Sequence, residues 1–231
     1  MFAIINEQFC DIFERYTKIP SYPLKPFRNL DDPVSSHADM LFCLIEDHLF
    51  CYNEYLIENL DLLNKLKESK YKIVTVKHKC ERKYPNDIAL NVLVANKTLF
   101  CNAKYTATEI IEYAKSKKYK IVSVKQGYAS CSTLVIDGKY AITADKGMKK
   151  ALDNENIETL LIDNEGIQLS GYNYGFIGGA SFNFENKVYF FGNLQNHPSG
   201  ENIKLFLTTR KIDFFEVTNN QISDFGGIKI L

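Results

Sequence analysis

The residues of this sequence whose types and spacing could support chemistry are one cysteine, one histidine and several acidic side chains. Cys131 lies between serines in the segment YASCS (128–132), and a single residue separates His37 from Asp39. A thiolate is the strongest ordinary side-chain nucleophile, an imidazole can donate and accept protons near neutral pH, and a carboxylate can bind a cationic group. Residue types alone leave alternatives open, because such a cysteine can be an inert buried thiol and such a histidine can be structural.

The sequence shows no pattern typical of a metal or nucleotide site. None of the cysteines forms a C-x-x-C pair, so we expect no zinc site, and we expect no cofactor. The Gly-Gly pairs at 178–179 and 226–227 are not followed by Lys-Ser/Thr, so they predict close approaches of backbone segments rather than phosphate loops. Most cysteines lie in apolar runs, which favours reduced, buried thiols in a cytosolic protein. The six cysteines are Cys10, Cys43, Cys51, Cys80, Cys101 and Cys131.

The bulk composition is typical of a globular protein, and 231 residues are enough for one sizeable core or two small domains; the repeated units described below favour a single domain over residues 1–231. Apolar residues make up 45% of the chain, which is typical of a protein with a packed core. Lys+Arg 28 balances Asp+Glu 28, so charge gives no reason to expect nucleic acid or an anionic membrane as a partner. The first residues resemble no signal peptide and no apolar run is long enough to span a bilayer, so we expect a cytoplasmic protein.

An eight-residue stretch occurs twice, with one difference. KYKIVTVK occupies residues 70–77 and KYKIVSVK occupies residues 118–125. Two apolar runs joined at a tight turn and then a helical pattern precede each copy, so each unit predicts strand, strand, helix, strand. The helix of the second unit should begin with a capping box formed by Thr106 and Glu109.

Two further units follow, and a fifth is divided between the chain ends. The third unit contains the turn Asp137-Gly138, and the fourth begins with GGASFNF (178–184). The chain ends in an isolated first strand (224–231) and begins with a second strand and helix (2–16). Pairing of these strands would close a ring of five units and remove exposed sheet edges. The alternative is an open α/β sheet with coincidental similarity, which accounts less well for the near-identical stretches.

Five strand-strand-helix-strand units resemble the pentein fold, a five-bladed α/β propeller whose best-known members are guanidino-group modifying enzymes. HADMLF (37–42) resembles the H-x-D motif of arginine deiminases, and PNDIALN (85–91) is similar to the P-D-D-I-A-A-N segment of dimethylarginine dimethylaminohydrolases. Residues 128–132 resemble the segment that carries the nucleophilic cysteine of these enzymes. The resemblance implies an α/β pentein fold with one blade shared by the two termini.

The resemblance also implies a role for each candidate residue. Cys131 would attack the central carbon of a small guanidino or amidino substrate and form a covalent intermediate, with His37 as acid and base. Asp39 would bind the cationic N–H groups, and Asp87 and Asn91 would line the site or hold a loop. Equivalent places on the first strands converge near the axis of a ring. We therefore expect His37 and Asp39, on one strand face, to meet Cys131 in a single pocket.

The sequence departs from the family at the acid that orients the histidine. The motif E-G-G-D, which normally precedes the histidine blade, corresponds here to DFGGI (224–228), so the chain resembles a circularly permuted member. Phe225 and Ile228 stand where two acids belong. Asp224 and Asp87 are both candidate substitutes. Asp224 lies one residue out of register, which on a regular strand would direct it to the other face.

The predicted function is a cysteine-dependent hydrolase or transferase-like enzyme with a small-molecule substrate. The alternative is a non-catalytic pentein that binds a ligand or a protein, since two expected acids are missing. An enzyme should show an open pocket with the Cys131 sulfur close to the His37 ring. A binding protein should instead show a filled axis or an apolar ring face. The fold resemblance opposes a third alternative, a cysteine protease.

Overall fold

The computed structural model describes all 231 residues, Met1–Leu231, as a mixed α/β structure with seven α-helices and seventeen short strands. The helices are α1 (Cys10–Thr17), α2 (Ala38–Leu41), α3 (Asn53–Glu58), α4 (Leu60–Lys67), α5 (Thr108–Ser116), α6 (Lys146–Asn154) and α7 (Gly200–Thr209). The strands are β1 (Ala3–Asn6), β2 (Ser21–Leu24), β3 (Phe42–Ile45), β4 (His48–Tyr52), β5 (Lys72–Val76), β6 (Leu93–Ala95), β7 (Thr98–Cys101), β8 (Lys120–Ser123), β9 (Thr133–Ile136), β10 (Tyr140–Thr143), β11 (Glu158–Leu161), β12 (Ile167–Gln168), β13 (Ser181–Phe184), β14 (Lys187–Phe190), β15 (Asp213–Glu216), β16 (Ile222–Ser223) and β17 (Lys229–Ile230).

The strands form five three-stranded sheets and one two-stranded sheet. Four of the three-stranded sheets have the same construction, an antiparallel hairpin followed by a helical segment and a third strand parallel to the middle one. The near-identical stretches at 70–77 and 118–125 supply β5 and β8, which occupy the same edge position in their sheets. The two near-identical stretches thus form the same strand of their sheets, because each must pair with the middle strand and pack against the helix of its unit.

The fifth three-stranded sheet joins the two ends of the chain. β17 pairs antiparallel with β1, with Ala3 opposite Ile230, and β2 pairs parallel with β1. Outside the strands, Phe2 N donates to Leu231 O at 2.8 Å and Leu231 N donates to Phe2 O at 2.7 Å. The predicted pairing of the terminal strands is therefore present, and it covers the edge that β1 would otherwise expose.

The hairpin turns form where the sequence predicts them. Asn96 and Lys97 both have positive φ, at 47° and 58°, and so do Asp137 and Gly138, at 51° and 64°. Two successive residues with positive φ make the turn whose twist matches that of the flanking strands. These short turns fix the register of each hairpin.

The predicted capping box is wrong. Helix α5 begins at Thr108, with Ala107 preceding it, so Thr106 lies too early to cap the helix. The Thr106 hydroxyl donates to Asn102 O at 3.0 Å, and the Glu109 carboxylate accepts from Lys77 N at 3.0 Å. The Glu109 side chain thus binds the end of the preceding repeat unit and not the start of its own helix.

The core consists of the apolar faces of the helices against the sheets. Ile110 and Ala114 of α5 are fully buried, as their spacing predicts. Thirty-one buried residues form the largest apolar cluster, and it includes Cys131. No helix of the structure is both long and apolar enough to cross a membrane.

Candidate active site

Cys131 lies in a turn just before β9, and the side chain of Asn91, from the irregular segment before β6, holds this turn in place. The Asn91 Oδ1 atom accepts hydrogen bonds from Ser130 N at 2.8 Å and Cys131 N at 3.3 Å. The Asn91 Nδ2 group donates to the Cys131 Sγ at 2.8 Å and to Asp39 O at 3.1 Å. Asn91 thereby positions the sulfur and links it to the segment that carries Asp39.

The Cys131 thiol is buried in a setting that favours its neutral form. Only 4% of the residue is exposed. Burial, followed by the nearby carboxyl groups of Asp39 and Asp224, raises the pKa of the Cys131 thiol well above its usual value. The Asn91 amide opposes this shift, because a donated hydrogen bond stabilises the thiolate.

His37 precedes the four-residue helix α2 and is 2% exposed. Its side chain packs against Gly226, which has φ +82°, and a Cβ atom at that position would collide with the imidazole. Burial lowers the pKa of His37 to about 4, so the ring is neutral at neutral pH. The neutral ring can therefore take up a proton only during a reaction, or when a negative charge bound nearby stabilises the imidazolium.

Asp224 points toward His37, which corrects the expectation that it faces away. Residues 224–228 do not form a strand, and Gly226 and Gly227 both have positive φ, so the alternation rule of strands does not apply. The Asp224 Oδ1 atom is 3.9 Å from His37 Nδ1, beyond hydrogen-bond distance.

Backbone groups and a glycine accommodate the Asp224 carboxyl group. It accepts hydrogen bonds from Phe176 N at 2.8 Å and Gly226 N at 3.0 Å. A Cβ atom on residue 179 would collide with the Asp224 carboxyl group, so only glycine at this position leaves room for that carboxyl group. Burial and the neighbouring Asp39 raise the pKa of Asp224, since two close carboxyl groups resist joint ionisation.

Asp39 does not share a strand face with His37, so that expectation is wrong. Both residues precede β3, and Asp39 lies within helix α2, where a two-residue spacing directs side chains apart. Asp39 instead lines a second cavity, of about 310 Å³, together with Lys229. Both oxygens of its buried carboxyl group lack a hydrogen-bond partner. Burial raises the pKa of Asp39, and Lys229 partly opposes this shift.

Asp87 does not line the site but supports one of its walls. The Tyr128 hydroxyl donates to the Asp87 Oδ2 at 2.7 Å, while the Asp87 Oδ1 is buried without a partner. Asp87 therefore orients the Tyr128 ring.

One cavity of about 300 Å³ brings three of the candidate residues together, and we call it the Cys131 cavity. His37, Cys131 and Asp224 all line it, while Asn91 contacts the sulfur and Asp39 lines the neighbouring cavity. No hydrogen bond joins the Cys131 sulfur to the His37 ring; the sulfur contacts Asn91 Nδ2 and Met40 Sδ. The other lining residues are Val34, Met40, Tyr128, Leu169, Tyr172, Asn173, Tyr174 and Phe176.

Sequence reasoning missed the aromatic wall of the Cys131 cavity. Tyr172, Tyr174 and Phe176 come from the segment GYNYGF (171–176) between β12 and β13. Its density of aromatic and glycine residues in a connection between strands was the available signal. No group of three or more His, Cys, Asp or Glu side chains is arranged to hold a metal ion.

The two expected acid positions hold apolar side chains that belong to the core. Phe225 is 1% exposed, and its ring centroid lies 4.6 Å from that of Phe9 and 3.8 Å from that of Phe191. Ile228 packs against the same cluster. The carboxyl group nearest His37 is therefore supplied by Asp224, one position earlier than the family motif places it.

Solved structures with a similar fold are guanidino-modifying enzymes. The dimethylarginine dimethylaminohydrolase (DDAH) of Pseudomonas aeruginosa, a mutant complexed with citrulline, superposes with a TM-score of 0.57 at 8% identity, covering 95% of this chain and 80% of that chain. The N-terminal domain of ArgZ, an arginine dihydrolase of cyanobacteria, gives a TM-score of 0.56 at 12% identity, covering 91% and 77%. The agmatine deiminase of C. jejuni gives 0.51 at 10% identity, covering 93% and 74%.

These similarities show a shared fold, the pentein fold that the sequence motifs resemble. No curated protein matches the sequence significantly. One family profile matches residues 5–229, almost the whole chain. The chain belongs to that family, described as Family of unknown function (DUF6873).

Proposed function

We propose that this protein is a cysteine-dependent enzyme that acts on a small guanidino or amidino compound through a covalent intermediate on Cys131. The observation that carries the proposal is that a thiol, an imidazole and a buried carboxyl group, from Cys131, His37 and Asp224, line one cavity. The proteins of similar fold include a DDAH complexed with citrulline and an agmatine deiminase, which supports the substrate class.

The proposed reaction uses the thiol as nucleophile and the imidazole as proton carrier. The Cys131 sulfur attacks the central carbon of the substrate and its proton passes to His37. The protonated His37 then gives this proton to the departing nitrogen as the C–N bond breaks, which leaves an amidino-thioether. Water activated by His37 attacks the same carbon, and the C–S bond breaks to return the thiol.

The charge of the substrate has a direct part in this scheme. The resting site favours neutral forms of Cys131, His37 and Asp224, because burial opposes every charge. A guanidinium ion that enters the cavity stabilises the thiolate and the carboxylates, so its binding lowers their pKa values. The carboxyl group of Asp224, which lines the cavity, is the acceptor for its N–H groups. Asp39 lines the neighbouring cavity and adds negative charge close to Cys131.

The absence of a direct bond between Cys131 and His37 is compatible with this chemistry. In the proposed complex the reacting carbon lies against the sulfur, and the leaving nitrogen lies against the imidazole. The substrate nitrogen then lies between the two side chains and relays the thiol proton to the imidazole, so a space between them is needed rather than a direct contact. Catalytic contacts of this kind also tighten when the substrate binds.

We further infer that the five three-stranded sheets are the blades of a five-bladed α/β propeller, with one blade made from β1, β2 and β17. The candidate residues support this, because His37, Asn91, Cys131 and Gly179 all immediately precede the first strand of a hairpin or lie in the short segment before it. Residues in equivalent places of five blades would converge at the centre. The blade order is then a circular permutation of the order in the guanidino-modifying enzymes that the sequence resembles.

The proposal is tested with a cationic electrophile and its neutral counterpart. Chloroacetamidine and chloroacetamide alkylate thiols with the same leaving group, but only the amidine carries the charge and N–H pattern of the proposed substrate. Charge-assisted hydrogen bonds contribute about 1.5–3 kcal/mol, so the amidine should modify Cys131 roughly tenfold to a hundredfold faster. Mass spectrometry of peptides measures both rates, with the partly exposed Cys10 as an internal reference.

Two variants provide controls for this experiment. Cys131→Ala should lose the fast modification, and His37→Ala should keep binding selectivity but lose turnover of any substrate. Equal rates for the two reagents at Cys131 would overturn the proposed enzyme function.

The second candidate function is a non-catalytic binding protein, and two observations favour it. The Cys131 thiol is buried with no bond to His37, and Phe225 fills the position expected for the orienting acid. In that case Cys131 would react slowly with both reagents and the Cys131 cavity would serve as a binding pocket. The labelling experiment separates the two functions directly.

A further inference from the structure

The wall of the Cys131 cavity is aromatic where it opens to solvent. Tyr172 and Tyr174, which are 46% and 39% exposed, mark the mouth. The ring centroid of Phe176 lies 6.0 Å from those of both Tyr128 and Tyr174. A substrate whose guanidinium group reaches Cys131 must therefore lay its remaining atoms along these rings.

The charged groups associated with this wall are negative. The Tyr172 hydroxyl donates to Asp31 Oδ2 at 2.9 Å, and the Tyr128 hydroxyl donates to Asp87 Oδ2 at 2.7 Å. None of the residues that line the cavity is a lysine or an arginine. Hydrogen bonds from the hydroxyl groups to carboxylates increase the electron density of the two rings, which strengthens their attraction for cations.

These groups discriminate between the possible tails of a substrate. An α-carboxylate, as in arginine, would lie among aromatic rings and near two carboxylates without a cation to pair with it, which is unfavourable. An alkyl chain packs well on the rings, and a terminal ammonium group gains a cation–π interaction. The chemistry of the wall thus opposes amino-acid substrates.

We propose that the substrate is an alkyl guanidine or amidine whose tail carries no carboxylate. This inference rests on the proposed function, because it assumes that the reacting group lies at Cys131. The cavity volume of about 300 Å³ suits a ligand of this size.

The test compares arginine, agmatine and butylguanidine as ligands of the Cys131→Ser variant, which should bind substrate without forming the intermediate. Agmatine differs from arginine only by the α-carboxylate, and butylguanidine also lacks the amine. Isothermal titration calorimetry should show both decarboxylated compounds binding at least about tenfold more tightly than arginine. Arginine binding as tightly as agmatine, or more tightly, overturns the inference.

The labelling experiment distinguishes failure of this inference from failure of the proposed function. If chloroacetamidine has no advantage over chloroacetamide and none of the three ligands binds, the proposed function fails and the inference fails with it. If chloroacetamidine has its advantage but arginine binds best, or no alkyl guanidine binds, only the inference about the tail is overturned.

A charge introduced at the mouth tests the same point in the other direction. Asn173 lines the cavity, is exposed to solvent and makes no side-chain hydrogen bond, so its substitution should not disturb folding. In the Cys131→Ser background, Asn173→Arg should tighten arginine binding and weaken agmatine binding, whereas Asn173→Gln, which adds no charge, should change the two affinities by the same factor. Equal changes for arginine and agmatine in the Arg variant would contradict the inference.

Discussion

At the scale of single residues, the site is defined by how Cys131 is held. Asn91 uses both ends of its amide, one to accept from the backbone before Cys131 and the other to donate to the sulfur. A buried amide with all these partners is costly to remove, because the groups left behind lose their hydrogen bonds away from water. The sulfur has no other strong donor to stabilise its thiolate.

We expect Asn91→Ala to lower both stability and thiol reactivity. Unsatisfied buried groups should reduce the free energy of unfolding by about 1–3 kcal/mol, measured by urea denaturation. Without the Nδ2 donor, chloroacetamidine labelling of Cys131 should slow by about tenfold. Asn91→Asp keeps the backbone acceptor and should restore part of the stability but not the labelling rate. Labelling at the wild-type rate in both variants would contradict the role of Asn91.

The raised pKa of Asp224 predicts how stability depends on pH. Between the pKa of aspartate in the unfolded chain and the raised pKa in the folded protein, the folded state binds more protons than the unfolded state. The free energy of unfolding contributed by this group is therefore greatest at acidic pH and is lost as the pH rises through the raised pKa.

We expect Asp224→Asn to reduce this loss of stability with increasing pH. The amide keeps an acceptor for the backbone N–H groups but cannot ionise. Melting temperatures should fall less for the variant than for the wild type between about pH 5 and pH 8. Identical pH profiles for the two proteins would show that Asp224 does not ionise in this range. His37 acts with the opposite sign between its lowered pKa of about 4 and the pKa of histidine in the unfolded chain, so its effect overlaps the acidic part of this range. The wild type and the variant share that contribution, and their difference still reports Asp224.

At the scale of elements, the irregular segments before the strands are more important for the site than the strands themselves. Helix α2 begins between His37 and Asp39 and directs their side chains apart, and the turn before β9 presents Cys131. The segment between β16 and β17 reverses with two glycines at positive φ and brings Asp224 toward His37. Regular secondary structure supplies the frame, and these short connections supply the directions of the side chains.

We expect Gly226→Ala to displace His37 and Asp224, because the substitution strains the backbone between β16 and β17. An L-residue at φ +82° is strained by roughly 1–2 kcal/mol, and the added Cβ meets His37, so the loss of unfolding free energy should exceed that amount. Urea denaturation measures the loss, and chloroacetamidine labelling measures the effect on the site. As a control, Gly147→Ala in helix α6 lies at negative φ and should change stability by less than about 1 kcal/mol. Similar effects of the two substitutions would contradict this account of Gly226.

At the scale of the whole molecule, the two ends of the chain complete one sheet. β17 contributes two residue pairs to β1, and the bonds between Phe2 and Leu231 continue this ladder. The termini are therefore neighbours in space, which permits them to be joined. The segment that carries Asp224 leads directly into β17, so closure of this sheet also positions a residue of the site.

A circular permutant should fold to the same structure. We expect a chain with Leu231 joined to Met1 by a short flexible linker, and opened at the Glu185–Asn186 turn, to keep its circular dichroism spectrum and to label at Cys131 at the wild-type rate. The control is the protein cut at the same turn without the linker. It consists of two separate fragments, residues 1–185 and 186–231, which can diffuse apart on unfolding. An unfolded permutant, despite an intact linker, would show that the terminal sheet does not hold the chain ends together.

Local sequence patterns were sufficient to predict many of the strands, turns and helices, but they did not predict the arrangement of the side chains in the site. The turns at Asn96-Lys97 and Asp137-Gly138 and the buried face of α5 follow from short-range rules, and they are present. The capping box at Thr106 failed because Glu109 binds a neighbouring unit instead. The shared strand face of His37 and Asp39 failed because the segment before β3 is a short helix.

The sequence by itself determined the α/β class, the hairpins, the pairing of the terminal strands and the residue types available for chemistry. Periodicity, turn propensity and near-repetition depend on neighbours along the chain, so they can be recognised without coordinates. Only the tertiary structure decided that Asp224 faces His37, that Asn91 holds the Cys131 sulfur, and that an aromatic wall lines the cavity. These contacts join irregular segments far apart in the chain, and their geometry depends on backbone angles and packing that no local pattern specifies.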